Sequence, residues 1–334
     1  MKFLTLCILL VTMVACLDFE TLLFWKSQDH PFYPGNQINS ENPILRGNFD
    51  TIGSASSVVV SGYLAYVADG TNGLVIIDVS DIENPSLVAT FDTAGVAKGV
   101  VVSGGYAYIA DSANGLVVVD ISNPSNPTLS GSYNTVGSSY GVAVSGNYAY
   151  VADYTNGLVI VNISNPASPT LVGSYNTAGS AYSVIVSGSY AYVADGPGGL
   201  MIIDVSNPTN PVLSGSYDTG GDARGLAIFG NYAYVADYNN GLLVVDIVDP
   251  WAPTYLNAYV MGSYAMNVRL SGNYAYVANY SNGLLVLDIS DPGNPSFQEQ
   301  YDTAGSAVEV YISGSYAYVA DLAGGLEIIY VSNP

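Results

Sequence analysis

The chain is 334 residues long and carries 6 Lys and Arg against 27 Asp and Glu, a formal net charge of −21. Such a balance excludes nucleic acid and anionic membrane surfaces as partners, because both require clustered cations. With 49% apolar and 10% charged residues the sequence is too hydrophobic for a disordered acidic tail. Beyond the N-terminus its apolar runs are too short to span a bilayer as a helix.

Residues 1–15 read as a secretory signal peptide, with Lys2 at the positive end, an apolar stretch from Phe3 and small residues before a cysteine. Met13-Val14-Ala15-Cys16 resembles a bacterial lipobox, which implies that Cys16 is lipidated and anchors the protein to a membrane at the cell envelope or surface. Plain cleavage near Ala15, with Cys16 incidental, is the alternative. Cys7 and Cys16 are the only cysteines, so the body has no disulfide or zinc framework. Residues 16–41 follow no periodic pattern and read as an extended tether behind the lipidated cysteine.

From residue 42 to 334 one unit is written seven times. Tyr-Val-Ala-Asp or a close variant ends at Asp69, Asp111, Asp153, Asp195, Asp237, Asn279 and Asp321, always 42 residues apart. A fixed period of that size marks a propeller, solenoid or array. In the first unit four strand signals follow one another, a (Ser56–Ser61), b (Leu64–Asp69), c (Leu74–Ser80) and d (Leu87–Asp92). The turns between them, Ser61-Gly62, Thr71-Asn72-Gly73 and Asn84-Pro85, are short, so each unit is an antiparallel meander, which is a propeller blade. The seventh unit stops where its strand d should begin, and a matching strand stands at the other end, Asn42–Thr51. The predicted fold is therefore all-β, a single seven-bladed β-propeller of four-stranded antiparallel blades. Its N-terminal outer strand completes the C-terminal blade and leaves no blade a strand short.

Strand c reads Gly73-Leu74-Val75-Ile76-Ile77-Asp78 in the first unit and Gly283-Leu284-Leu285-Val286-Leu287-Asp288 in the sixth. These strings resemble the LVIVD repeat of bacterial and archaeal surface proteins, over residues 42–334. The resemblance implies a secreted propeller and carries no catalytic residues. The alternation of tyrosine and alanine in strand b, as in Tyr148-Ala149-Tyr150-Val151-Ala152, predicts that alanines let neighbouring blades approach. The Ser, Gly and Thr of strand d predict an outer edge facing water.

Whatever recurs seven times is explained by packing, so a site is sought where the units differ. The most variable position opens strand a, nearest the channel, and reads Ser56, Lys98, Tyr140, Tyr182, Arg224, Met266, Val308 around the ring. Tyr154, Tyr238, Tyr264 and Tyr280 fall in the d–a and b–c loops, which a meander puts on the same face. Asp222 and Glu309 are carboxylates beside this position and outside the repeat pattern. Aromatic plates with sparse charges suit a glycan or a protein patch. The opposite face carries Ser-Gly and Asn-Pro turns that scarcely vary.

Fifteen of the 27 acids recur at the positions of Asp50, Asp69 and Asp78. Asp69-Gly70-Thr71-Asn72-Gly73 lacks the alternating acidic spacing of a calcium loop. It is read as an Asx turn that bonds its own loop amides, and no metal or other cofactor is expected. Catalysis lacks parts, since His30 is the only histidine and lies in the tether. That removes Ser-His-Asp, Cys-His and His-metal centres from the body. The expectation is a non-enzymatic, surface-tethered module that presents its Tyr-rich face to an envelope glycan or protein. A structural spacer without specific ligand is the rival. A carboxylate-based glycoside hydrolase or lyase using Asp222 and Glu309 is third.

Overall fold

A computed structural model of the chain describes residues 43–331. The expected signal peptide, Cys16 and the tether lie outside the described residues. Those described form seven four-stranded antiparallel sheets, each a meander of consecutive strands except the last. In blade 1 the strands are a (Ser57–Ser61), b (Leu64–Ala68), c (Leu74–Asp78) and d (Ser86–Phe91), within two residues of expectation. Blade 7 takes a, b and c from Glu309–Ser313, Tyr316–Ala320 and Leu326–Tyr330, and its outer strand from Ile44–Phe49. The ring is closed by this strand and by a bridge from Ala55 to Leu322, equivalent to the bridges that join the other six pairs of neighbours.

Strand c is apolar on both faces because it is covered on both, and Leu74, Val75, Ile76 and Ile77 are all buried. The core consists of layers between blades: Ala68, Leu74 and Ile76 of blade 1 pack on Ala107, Ile109 and Val119 of blade 2. The strand-b alanines are fully buried in these layers, Ala149 against Tyr108, Leu116 and Val118 of the preceding blade. Replacing Ala149 with Leu should therefore destabilise the ring by about 1–3 kcal/mol through overpacking. Urea unfolding measures it, and an unchanged midpoint would contradict the close approach of the blades.

Each outer strand carries a β-bulge against strand c, which twists an exposed edge away from further pairing. The glycines of this strand have a different reason from the one expected. A Cβ at Gly47, Gly131, Gly173 or Gly215 would collide with backbone in the c–d turn of the next blade, so they admit a neighbour rather than face water. The serines and threonines do face water, as in Ser86, Thr90, Thr128 and Ser132, and so do Leu87, Leu129, Leu171 and Phe297. In the b–c turn Gly73 has φ +74°, and a Cβ there would strike the Phe91 carbonyl, so the turn requires glycine.

The aspartate of Tyr-Val-Ala-Asp is a correction to the sequence reading. Asx turns do form, at the other two repeated positions, where Asp50 accepts from the Ile52 amide and Asp78 from the Ser80 amide, both at 2.8 Å. Asp69, by contrast, is fully buried and ties two blades together. It accepts the Thr51 hydroxyl at 2.6 Å from just beyond the outer strand of blade 7 and the Asn72 side-chain amide at 2.8 Å. The same threonine-to-aspartate bond joins Thr93 to Asp111, Thr135 to Asp153, Thr177 to Asp195, Thr219 to Asp237 and Thr303 to Asp321. At the remaining junction both partners change together: Met261 replaces the threonine and Asn279 the aspartate. A buried carboxylate there would lose its hydroxyl donor, and the neutral amide avoids that charge. Asn279→Asp alone should then destabilise the ring by about 1–3 kcal/mol, and adding Met261→Thr should recover most of the loss. A double-mutant cycle in urea reads the coupling; strictly additive single effects would refute the junction rule.

The face carrying the a–b and c–d turns is less uniform than the sequence reading held. In blade 5, Phe229, Val248 and Trp251 stand where other units mostly carry serine or small polar residues, and all three are exposed.

Candidate functional site at the channel mouth

Strand a lines the channel, and its first residue is fixed by a backbone bond to the end of strand b. The amides of Tyr140, Tyr182 and Arg224 donate to Ala152, Ala194 and Ala236 at 2.8–2.9 Å. The b–c turn reaches over to the next blade at the same level. Tyr154 and Tyr238 each exchange two backbone hydrogen bonds of 3.0–3.1 Å with Ala181 and Ala265. Tyr154, Tyr238 and Tyr280 hold φ values of 48°, 49° and 41°. Two other units use glycine at this left-handed position, Gly70 and Gly196, which is the unstrained choice. Ser112 and Leu322 hold φ values of 47° and 45° there, so the left-handed turn belongs to every blade and three of them place a tyrosine on it.

A cavity of about 550 Å³ opens in the channel, lined by Lys98, Tyr140, Tyr182, Arg224, Tyr280 and Glu309 among the residues singled out from the sequence. The others pack onto these. Tyr154 lies 5.4 Å from Tyr140 and 5.5 Å from Tyr182, centroid to centroid, and Tyr140 meets Tyr182 edge-on at 5.2 Å. Tyr238 stacks on Tyr264 at 4.1 Å and 9°, and Tyr264 lies 5.7 Å from Tyr280. Arg224 joins the two groups, its guanidinium carbon 4.0 Å from the Tyr182 ring centroid and 5.3 Å from that of Tyr238. The result is one arc of six tyrosines with an arginine at its centre, running over blades 3 to 6.

Charge is concentrated here. Of the four cations among the described residues, three, Lys98, Arg224 and Arg269, line this cavity. Asp222 pairs with Arg224 at 2.5 Å and Glu309 with Arg269 at 2.7 Å. Burial pushes the Glu309 carboxyl up, while Arg269 and the Ser57 hydroxyl pull it down. Burial also pushes the Tyr182 hydroxyl up, with the Arg224 charge acting against it. Three polar atoms of this wall are buried without a hydrogen-bond partner: Asp222 Oδ1, Arg224 Nε and Asn267 Oδ1.

Arg269 and Asn267 were missed from the sequence, as was Tyr311, which also lines the cavity. Arg269 stands where other units carry Val59, Val101, Ala143, Ile185, Ala227 and Tyr311. Treating this deeper strand-a position as a second variable ring would have found Arg269 and Tyr311 together. Asp222 and Glu309 are each engaged by a different arginine, which is not the arrangement of a free acid–base pair.

Several solved propellers superpose on the chain. The β-propeller domain of Cps50 (Swd1) from Myceliophteria thermophila aligns with a TM-score of 0.71 at 14% identity, covering 87% of this chain and 100% of that one. Sqt1 of Saccharomyces cerevisiae gives 0.66 at 10%, covering 88% and 100%. The WD40 domain of Neurospora crassa Pan2 gives 0.66 at 14%, covering 85% and 90%. At these identities the likeness is one of fold. A search of curated proteins returns no match to the sequence. The LVIVD repeat model matches seven times, at residues 52–93, 94–135, 136–177, 178–219, 220–260, 262–303 and 304–334. With the repeat matched along the whole ring, the chain belongs to the LVIVD-repeat family.

Proposed function

We propose that this protein is a non-catalytic binding module, exported and anchored at the cell envelope through Cys16, which presents its channel mouth to an envelope glycan or protein. The observation that carries the reading is the aromatic arc from Tyr140 to Tyr280 around Arg224. It occurs where the units depart from their own repeat. Packing of the blades does not require the aromatic rings, since the equivalent positions in blades 1 and 2 are Ser56, Gly70, Lys98 and Ser112. Export and anchoring are supported by the charge and apolar pattern of residues 1–16. Binding without catalysis is supported by the two arginine-paired carboxylates and by a body free of histidine and cysteine.

The spacer reading draws on a different observation, the exposed Leu87, Leu129, Leu171 and Phe297 of the outer strands, which suit lateral packing. A pull-down from envelope extract separates the two. The full chain should retain a species that a Lys98/Tyr140/Tyr182/Arg224 quadruple-alanine variant loses by at least about tenfold, with thermal midpoints nearly equal. Equal retention by both folded proteins would favour the spacer, and unfolding of the variant would make these residues core.

A further inference from the structure

We infer that the wall formed by Tyr182, Asp222, Arg224 and Asn267 is a subsite for an uncharged saccharide ring, an inference that rests on the binding reading above and narrows it. The unpartnered atoms of that wall define the ligand chemistry. Asp222 Oδ1 and Asn267 Oδ1 are acceptors and Arg224 Nε is a donor. Two acceptors and one donor match hydroxyl groups, which donate and accept at the same oxygen. Leaving such atoms unsatisfied is unfavourable for the folded ring, so the wall is not arranged for stability alone. Tyr182 and Arg224 are only half-buried; with Asn267 they line the cavity, and Asp222 stands beside them as the ion-pair partner of Arg224.

Charge separates the saccharide classes. An acidic glycan meets a chain of net charge −21 and two arginines already neutralised by Asp222 and Glu309. An amino sugar meets Lys98 in the same cavity, a cation that no carboxylate among the described residues pairs. A neutral ring meets neither repulsion, and its C–H face lies on tyrosine as apolar surface. The cavity, at about 550 Å³, is within the range of small-ligand sites.

Gly196 is an independent mark of the same place. It occupies the b–c turn position held by Tyr154, Tyr238 and Tyr280 in other blades. A Cβ on it would stand 3.0 Å from Asp222 Oδ1 and 3.1 Å from the Tyr182 ring. Blade 4 therefore admits the Asp222 carboxylate and the Tyr182 ring against its turn, at the position where three other blades carry a tyrosine side chain.

The test uses the full chain on an array of neutral oligosaccharides with α and β linkages, beside uronic-acid and amino-sugar oligomers, followed by calorimetry on the best neutral binder. Gly196→Tyr puts a side chain against Asp222 and the Tyr182 ring and so displaces that wall, at backbone angles where three other blades carry tyrosine, and Asp222→Asn keeps the shape of the acid while removing its charge. The expected result is binding confined to neutral oligosaccharides, weakened at least tenfold by either substitution, with a cooperative thermal transition retained. Preference for uronates or amino sugars overturns the uncharged class. Neutral binding that survives Gly196→Tyr places the sugar elsewhere on the ring. No saccharide binding, with a protein partner still retained from envelope extract, overturns this inference and leaves the binding module standing. Loss of both removes the binding reading as well.

Discussion

Lowering the pH from 7 to about 5 should raise the thermal midpoint of this protein. Burial pushes the carboxyls of Asp69, Asp111, Asp195, Asp237 and Asp321 above the ordinary aspartate range, against the hydrogen bonds that pull them down. Burial does the same to Glu299, Glu309 and Glu327. A group whose folded value is raised contributes its stability fully below the unfolded value, near 3.9 for Asp and 4.3 for Glu. That contribution is lost as pH rises through the folded value. Each fully buried aspartate protonated in the ring and ionised in the unfolded chain adds about 1.4 kcal/mol per pH unit within its window. The opposing groups, Asp78, Asp120, Asp204 and Asp288, are held low by hydrogen bonds from the serine two residues on. They lose their contribution only as pH falls through values below about 3.9. The maximum therefore lies on the acid side of neutrality. Acidification also relieves repulsion across a chain of net charge −21. Asp111→Asn separates the two effects, because it changes the net charge by one while removing a whole titrating junction. A midpoint that falls between pH 7 and 5 would mean that these aspartates are ionised and satisfied in the ring.

A chain beginning at Ile52 should lose cooperative folding or melt on the order of 10 °C lower. Ile44–Phe49 pairs along the whole of Leu326–Tyr330, and Phe49 packs against buried Tyr318, Leu326 and Ile328. Thr51, just beyond the strand, donates to Asp69 of blade 1 and so joins the first and last blades. Five or so ladder bonds at about 1 kcal/mol each, converted at about 2–4 °C per kcal/mol for a chain of this size, give that shift. A synthetic peptide of residues 43–51 supplied in trans should restore the midpoint, because the vacated edge still offers its backbone groups. A truncated protein that melts as before would show that blade 7 stands on three strands.

Much of this could be read before any coordinates. The 42-residue period gave the blade number. The four strand signals between turns gave the blade, and the misplaced strand at Asn42–Thr51 gave the closure. These follow from local chemistry: turn residues, two-residue alternation and a repeated register are all written in neighbouring positions. Subtracting the repeat also isolated Tyr140, Tyr182, Arg224 and the loop tyrosines as one face, because a meander returns to the same end every two strands.

What the sequence could not decide was which side chains meet across blades. Asp69 looked like the head of its own turn, whereas its strongest partner, Thr51, comes from just beyond the outer strand of the neighbouring blade. Arg269 looked isolated until strand a of blade 6 was set beside Glu309 of blade 7. Gly131 looked like part of a wet edge until the turn of blade 3 was placed against it. Each of these depends on the distance between chain segments tens of residues apart, which the curvature of the ring sets. Sequence by itself fixed the units and their order; only the closed ring, by bringing unlike positions of adjacent units into contact, decided which polar groups are satisfied and which three at the channel mouth are left without a partner.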